Sequence, residues 1–221
     1  EQKKLGYATV TTIDPVVQRQ MWGLREQGLG LSMAMKGDAK PLPYVEDTAV
    51  SPEKLPEYVA RFDEITRSHG VETAYYGHAS TGCLHIRPVV NIKTAHGLDT
   101  MEAIANEIAD LVLEFGGSLS GEHGDGIVRG VFMEKMFGTE LYGAFRDLKS
   151  AFDPNGLMNP GKIIETPGIR ENLRLSPATK NIEVETYLDF SGDGGLDRHI
   201  EMCNGQGACR RMEGGMCPSY M

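Results

Sequence analysis

No apolar run in this sequence approaches the roughly 18 residues needed to span a bilayer, and its opening lacks the basic-then-apolar order of a secretory signal. Basic residues are in the minority, with 22 Lys and Arg against 31 Asp and Glu and a net charge of -9. They form no stripe, which argues against a nucleic-acid surface. Internal repeats and low-complexity runs are absent, and there is one tryptophan. Cysteine is scarce and uneven: of four, Cys83 stands apart while Cys203, Cys209 and Cys217 crowd the C-terminal end. An even count would suit disulfides in a secreted chain, but nothing here looks secreted. The expected setting is therefore the reducing cytoplasm, with a peripheral position at the inner face of a membrane compatible. The chain opens on Glu1 rather than methionine and stops just after the cysteine-rich tail. It reads as a fragment of a longer polypeptide, whose remainder is an expected partner.

What is present is enough for one substantial core, since 40% of the 221 residues are hydrophobic. Residues 8–13 alternate β-branched side chains and predict a strand. Asp14-Pro15 is an N-cap with proline at the first helical position, and Gly28 or Gly30 is the expected stop. Trp22 on that helix is expected in core or half-buried packing, and Arg25 reads equally well as a solvated charge. Residues 29–43 look like a loop or irregular hairpin, and 44–50 look extended. Ser51-Pro52-Glu53 opens a second helix whose buried stripe is Leu55, Tyr58, Val59, Phe62 and Ile65, closed by Gly70.

A strand over 72–76 then runs into a histidine hairpin, and 84–90 returns from it. Residues 99–115 carry the strongest helical period, through Ile104, Ile108, Leu111, Val112 and Phe115, ended by Gly116-Gly117. A short strand at 118–120 and helical stretches near 131–136 and 140–152 follow, then the turn Asp153-Pro154-Asn155-Gly156. The pattern predicts an α+β fold, a ferredoxin-like antiparallel sheet covered by helices on one face, with an irregular C-terminal tail. A boundary is expected near 167, separating domain 1–167 from a polar, unpatterned stretch over 168–221.

The chemistry gathers in two glycine-rich stretches, Gly77-His78-Ala79-Ser80-Thr81-Gly82-Cys83-Leu84-His85 and Ser120-Gly121-Glu122-His123-Gly124-Asp125-Gly126. If Thr81-Gly82 is the centre of a two-residue hairpin, residue 80 faces 83 and 78 faces 85. Directly opposed residues share a face with Cβ atoms about 5 Å apart, a workable separation for two imidazoles on one metal ion. On one straight strand, seven residues of separation would put them on opposite faces, so the metal reading needs the turn. His78, His85 and Glu122 together make a site for zinc, iron or manganese with positions left open, the mark of a catalytic centre. His123 beside it is a candidate acid or base, and Gly121, Gly124 and Gly126 would admit a ligand close to the backbone. The bare residues fit a metal-dependent hydrolase as well as a redox enzyme. They also fit a non-catalytic domain whose histidines merely stabilise a hairpin.

Three motifs in order, Gly-His-x-x-x-Gly-x-x-His at 77–85, Ser-Gly-Glu-His-Gly at 120–124 and Asp-Pro-Asn-Gly-Leu-Met-Asn-Pro-Gly-Lys at 153–162, resemble the C-terminal domain of FAD-linked oxidases. This is the vanillyl-alcohol-oxidase type that includes D-lactate, glycolate and D-2-hydroxyglutarate dehydrogenases. The likeness covers roughly residues 5–166. It implies an FAD-linked dehydrogenase converting a 2-hydroxy acid to its 2-oxo acid, with the FAD bound mainly by another domain. It further implies His78, His85 and Glu122 as ligands of a divalent metal, and His123 as the group taking the substrate hydroxyl proton. Trp22-Gly23-Leu24-Arg25 resembles the family helix whose arginine meets the substrate carboxylate, and the stretch from Asn159 to Lys162 resembles the segment returning to the flavin.

Two places depart from the family pattern. Ser80-Thr81-Gly82-Cys83 stands where many relatives have Gly-Asp-Gly-Asn. Around residues 44–47, where hydroxyglutarate-type enzymes carry a lysine, this chain has Val45 and Glu46. A second substrate carboxylate is then handled differently or is absent. Cys203, Cys209 and Cys217, with Pro218 after the last, look like the entry to a fused iron–sulfur domain. Their spacing, Cys-x5-Cys-x7-Cys, supplies three thiolates where a four-iron cluster takes four. A downstream electron acceptor, membrane-associated or not, is the partner this implies.

Overall fold

In the computed structural model, described over residues 10–181, 184–203, 205 and 207, a small antiparallel sheet is built around one strand. That strand, β4 (Cys83–Val90), pairs along its length with β3 (Thr73–His78). Its other edge is shared by two short strands. β1 (Lys40–Pro41) pairs with the Val89–Val90 end and β2 (Thr48–Ala49) with the Cys83–Leu84 end. The α+β character is as expected, and the irregular stretches at 29–43 and 44–50 each contribute only a two-residue strand.

Helices α2 (Leu55–Ser68) and α3 (Ala95–Glu114) carry the core. Tyr58 and Phe62 of α2 meet Met101, Ile104, Ala105, Ile108 and Val112 of α3, together with Ile86 and Val90 of β4, in one buried cluster. Full burial of each large apolar side chain is worth about 1.5–3 kcal/mol, so α3 alone is a major source of stability. It begins four residues before the expected start because Thr94 caps it, its Oγ1 accepting from the Gly97 N–H at 3.0 Å. Gly97 itself is required there, since a Cβ would lie 1.8 Å from the Asn91 carbonyl oxygen.

Three local expectations are corrected. Residues 10–13 form no strand; 8 and 9 lie outside the described residues. Helix α1 (Pro15–Met33) runs through both glycines expected to end it. Glycine terminates a helix by turning left-handed, and neither Gly28 nor Gly30 has a positive φ. Trp22 is 60% exposed, and Met21 and Leu24 are exposed beside it, because no other element among the described residues covers that helix face. The two helical stretches expected near 131–136 and 140–152 are borne out: α4 (Met133–Phe152) is two helical segments joined at Gly138, whose φ of 78° and ψ of 161° are not helical.

Beyond residue 167 the chain still touches the body. Ile169 is buried in the core cluster, and Arg170 bridges Asp99 and Glu102 of α3. The short helix α5 (Leu196–Glu201) is held by charge: Lys93 reaches Glu201 at 2.7 Å and Asp38 at 3.2 Å, and Arg198 reaches Asp38 at 2.9 Å. No helix among the described residues is long and apolar enough to cross a membrane.

Candidate functional site

Alternation along β4 separates core from chemistry. Leu84, Ile86 and Val90 point to the helices, while Cys83, His85 and Arg87 project from the other face. The hairpin register differs from the one expected. The turn is a helical one over Ala79–Thr81 with Gly82 left-handed at φ 75°, so His78 opposes Cys83 and Tyr76 opposes His85. The register has moved by an even step, so His78 and His85 still share a face, now as diagonal neighbours. Their rings meet edge to face with centroids 5.3 Å apart.

The second glycine-rich stretch reaches this face through β2. Ala49 and Ser118 exchange backbone hydrogen bonds at 2.8 and 2.9 Å, which delivers residues 119–124 beside the hairpin. Glycine at 121 serves close packing, since a Cβ there would sit 2.8 Å from Cys83 Sγ. Asp47 then anchors the loop. It is fully buried, has a left-handed φ of 78°, and its carboxylate accepts from the Ser120 hydroxyl at 2.7 Å. It also accepts from the backbone N–H groups of His123 at 2.8 Å and Glu122 at 3.1 Å. Burial acts to raise its pKa, but these donors together outweigh burial and lower it.

Glu122 Oε1 lies at the hub of the site. The Nε2 atoms of His85, His78 and His123 surround it at 2.9, 3.3 and 3.3 Å. The His85 and His123 rings stack, 4.7 Å apart and 9° from parallel. On its far side His123 Nδ1 donates to Glu46 Oε1 at 3.0 Å, and Glu46 Oε2 pairs with Arg87 at 2.5 Å. His85 is buried, and burial is the main cause of its lowered pKa, so the ring is held neutral as a metal ligand must be. Its Nδ1 is buried without a hydrogen-bond partner and faces Asp47 Oδ1 at 4.0 Å.

Two ligand sets are therefore available. Asp47, His85, Glu122 and His123 each offer an atom within 4.8 Å of the others. The expected trio His78, His85 and Glu122 converges on Glu122 Oε1. His78 is not one of those four, and both Asp47 oxygens already accept from the loop donors.

Other expected residues fall around this centre. Arg25 lies 5.7 Å over the Tyr76 ring and 5.8 Å over Trp22, and donates to the Gly77 carbonyl at 3.5 Å. It is thus next to the histidine face and bonded to no acid among the described residues. Asn159, left-handed at φ 46°, accepts from Lys162 Nζ at 3.1 Å. Their segment is tied to the histidine loop, Ile163 N–H donating to Gly126 O at 2.8 Å. An apolar groove of about 550 Å³ opens beside Lys162, lined by Phe137, Phe145, Leu148, Phe152 and Ile163. Cys203 is exposed, its Sγ accepting from the Gly205 N–H; Cys209 and Cys217 lie outside the described residues.

Sequence reasoning missed Glu46, Asp47, Arg87 and Arg129. The last donates to the Glu46 and Gly124 carbonyls, closing the loop from behind. Their signal was weak: two adjacent acids in an apolar segment and an arginine inside an apolar strand.

Comparison with known proteins agrees with the motif reading. The family model of FAD linked oxidases, C-terminal domain, matches residues 2–163. A D-2-hydroxyglutarate dehydrogenase of Haemophilus influenzae is 35% identical across 97% of this chain and 21% of its own length. One from Escherichia coli is 34% identical across 90% of this chain and 20% of its own. A D-lactate dehydrogenase of Archaeoglobus fulgidus is 34% identical across 60% of this chain and 29% of its own. The chain spans about a fifth of the length of the hydroxyglutarate dehydrogenases it matches. With the family match over most of the chain and its motif residues converging on one centre, the chain belongs to the FAD-linked oxidase C-terminal domain family.

Proposed function

We propose that this chain is the substrate and metal domain of a flavin-dependent dehydrogenase that oxidises a D-2-hydroxy acid, of the lactate, glycolate or 2-hydroxyglutarate class, to the 2-oxo acid. The observation that carries this is three imidazole Nε2 atoms around the single Glu122 Oε1, on a chain of an FAD-linked family. The donor set fits a divalent cation. If His85 carries its proton on Nδ1, toward Asp47, its Nε2 lone pair is free for an ion shared with His78 and Glu122. Zinc, iron or manganese bound there would act as a Lewis acid on the substrate hydroxyl. FAD, held mainly by another part of the polypeptide, would supply the hydride acceptor.

The chain's own residues supply the rest. His123 takes the hydroxyl proton at Nε2, its Nδ1–H held on Glu46. Arg25, over the Tyr76 ring beside the hairpin, binds the substrate carboxylate. Asn159 and Lys162 lie on the segment that faces the flavin. Cys203, Cys209 and Cys217 belong to the ligand set of an iron–sulfur centre in the longer polypeptide, with an electron acceptor beyond it. Neither a hydrolase nor a non-catalytic domain draws support from a flavin-linked family.

The test uses the full-length protein with a panel of D-2-hydroxy acids, following flavin reduction without oxygen, alongside elemental analysis. One of the acids should bleach the flavin, and His78→Ala and His85→Ala should lose both metal and turnover. Full activity in metal-free protein would sink the scheme.

A further inference from the structure

The ring of His123 is fixed from two sides, by the proposed metal ligand His85 and by Glu46, which has no part in holding metal or substrate. Stacking on His85 sets its plane. Glu46 sets which nitrogen faces the centre: a carboxylate only accepts, so the 3.0 Å contact puts a proton on Nδ1 and turns Nε2 inward, where it is free to accept once Glu122 Oε1, 3.3 Å away, is engaged by an ion. Glu46 is held toward His123 by its other oxygen, which lies 2.5 Å from Arg87, and its backbone is held by Arg129, which donates to the Glu46 carbonyl at 3.0 Å. Glu46 and Arg87 are both buried. We propose that Glu46, clamped by Arg87, is the positioning residue of the reaction. It holds His123 in the single tautomer and rotamer that can receive a proton from a 2-hydroxy acid. The step is a proton transfer in which the substrate O–H bond breaks and an N–H bond forms at Nε2, with Nδ1–H retained on Glu46.

This inference rests on the proposed dehydrogenase reading and deepens it. Its test is steady-state kinetics of Glu46→Ala and Glu46→Gln in the full-length holoenzyme, with metal content, solvent deuterium isotope effects and 2-oxo acid binding measured by flavin difference spectra. Glu46→Ala should lower kcat about 10–100-fold, the usual range for a partner behind a catalytic imidazole. KM, product affinity and metal content should stay within about twofold, and the solvent isotope effect on kcat should grow as proton transfer becomes limiting. Glu46→Gln, which keeps an acceptor oxygen, should recover most of the loss. Because Glu46→Ala strands a buried Arg87, the double variant Glu46→Met/Arg87→Met is the folding control. It removes both charges together and should fold while losing kcat equally. Wild-type kcat in Glu46→Ala beside an inactive His123→Ala would overturn the proposal. So would parallel loss of metal, product binding and kcat that Gln does not rescue, which would make Glu46 a scaffold. If the wild-type protein reduces its flavin with no 2-hydroxy acid, the dehydrogenase reading itself fails and takes this one with it.

Discussion

Replacing Asp47 with alanine should cost more stability than replacing any solvent-facing acid of this chain. Its carboxylate accepts three bonds from the 120–123 loop, from Ser120 Oγ at 2.7 Å, His123 N at 2.8 Å and Glu122 N at 3.1 Å. Bonds to a charged acceptor contribute roughly 1.5–3 kcal/mol each, and about half of that sum is recovered if water enters the vacated space. Alanine must also hold the left-handed φ of 78°, a strain of about 1–2 kcal/mol. A loss of ~4 kcal/mol is the expected total, which for a domain of this size lowers Tm by about 8–16 °C. Asp47→Asn tolerates the left-handed backbone and keeps one acceptor oxygen, so it should lose about half as much. Thermal melts followed by far-ultraviolet circular dichroism measure both. Hydrogen exchange should show faster amides at 122 and 123 in both variants. A Tm for Asp47→Ala within about 2 °C of wild type would refute the claim that this carboxylate carries the loop.

Other perturbations have equally definite outcomes. Gly82→Ala places a Cβ 1.8 Å from the Val50 carbonyl oxygen at a φ of 75°; it should destabilise by at least ~2 kcal/mol in urea titration and displace the histidine turn. Asp153 is held at a pKa of about 2, chiefly by Lys149 and then by the backbone N–H groups of Met158 and Leu157. Because that value is depressed from 3.8, its stabilisation is fully present above pH about 4 and is lost as pH falls through about 2. Asp153→Asn should flatten the stability profile in that window, and a profile unchanged from wild type would contradict it. Arg25→Lys, which exchanges a flat two-pronged donor for a point charge, should raise KM for the hydroxy acid about 10-fold or more while leaving metal content intact.

Much of this architecture was legible before any coordinates. The strong period of Ile104, Ile108, Leu111 and Val112 predicts α3, and its apolar face is the core. Even the break in α4 could be anticipated, since Gly138 lies between two helical stretches. Helix ends were less legible because a glycine stops a helix only when it turns left-handed, and Gly28 and Gly30 do not. Trp22 was misread for a related reason: hydrophobicity predicts burial only where another element arrives to cover the residue.

For the site, local sequence determined that His78 and His85 share a face, because strand parity survives an even shift in register. Proximity of Glu122-His123 in the chain, together with the motif order, pointed to the third and fourth members. Only tertiary structure decided what those residues can do. The bridge between Ala49 and Ser118 brings two distant loops together. Asp47 converts a glycine-rich segment into a fixed loop, and Arg87, emerging from an apolar strand, clamps Glu46 behind His123. Periodicity records which face a side chain takes, because that is set by neighbouring residues along the chain. It carries no record of a partner tens of residues away, and the hydrogen bonds that orient this imidazole are all of that kind.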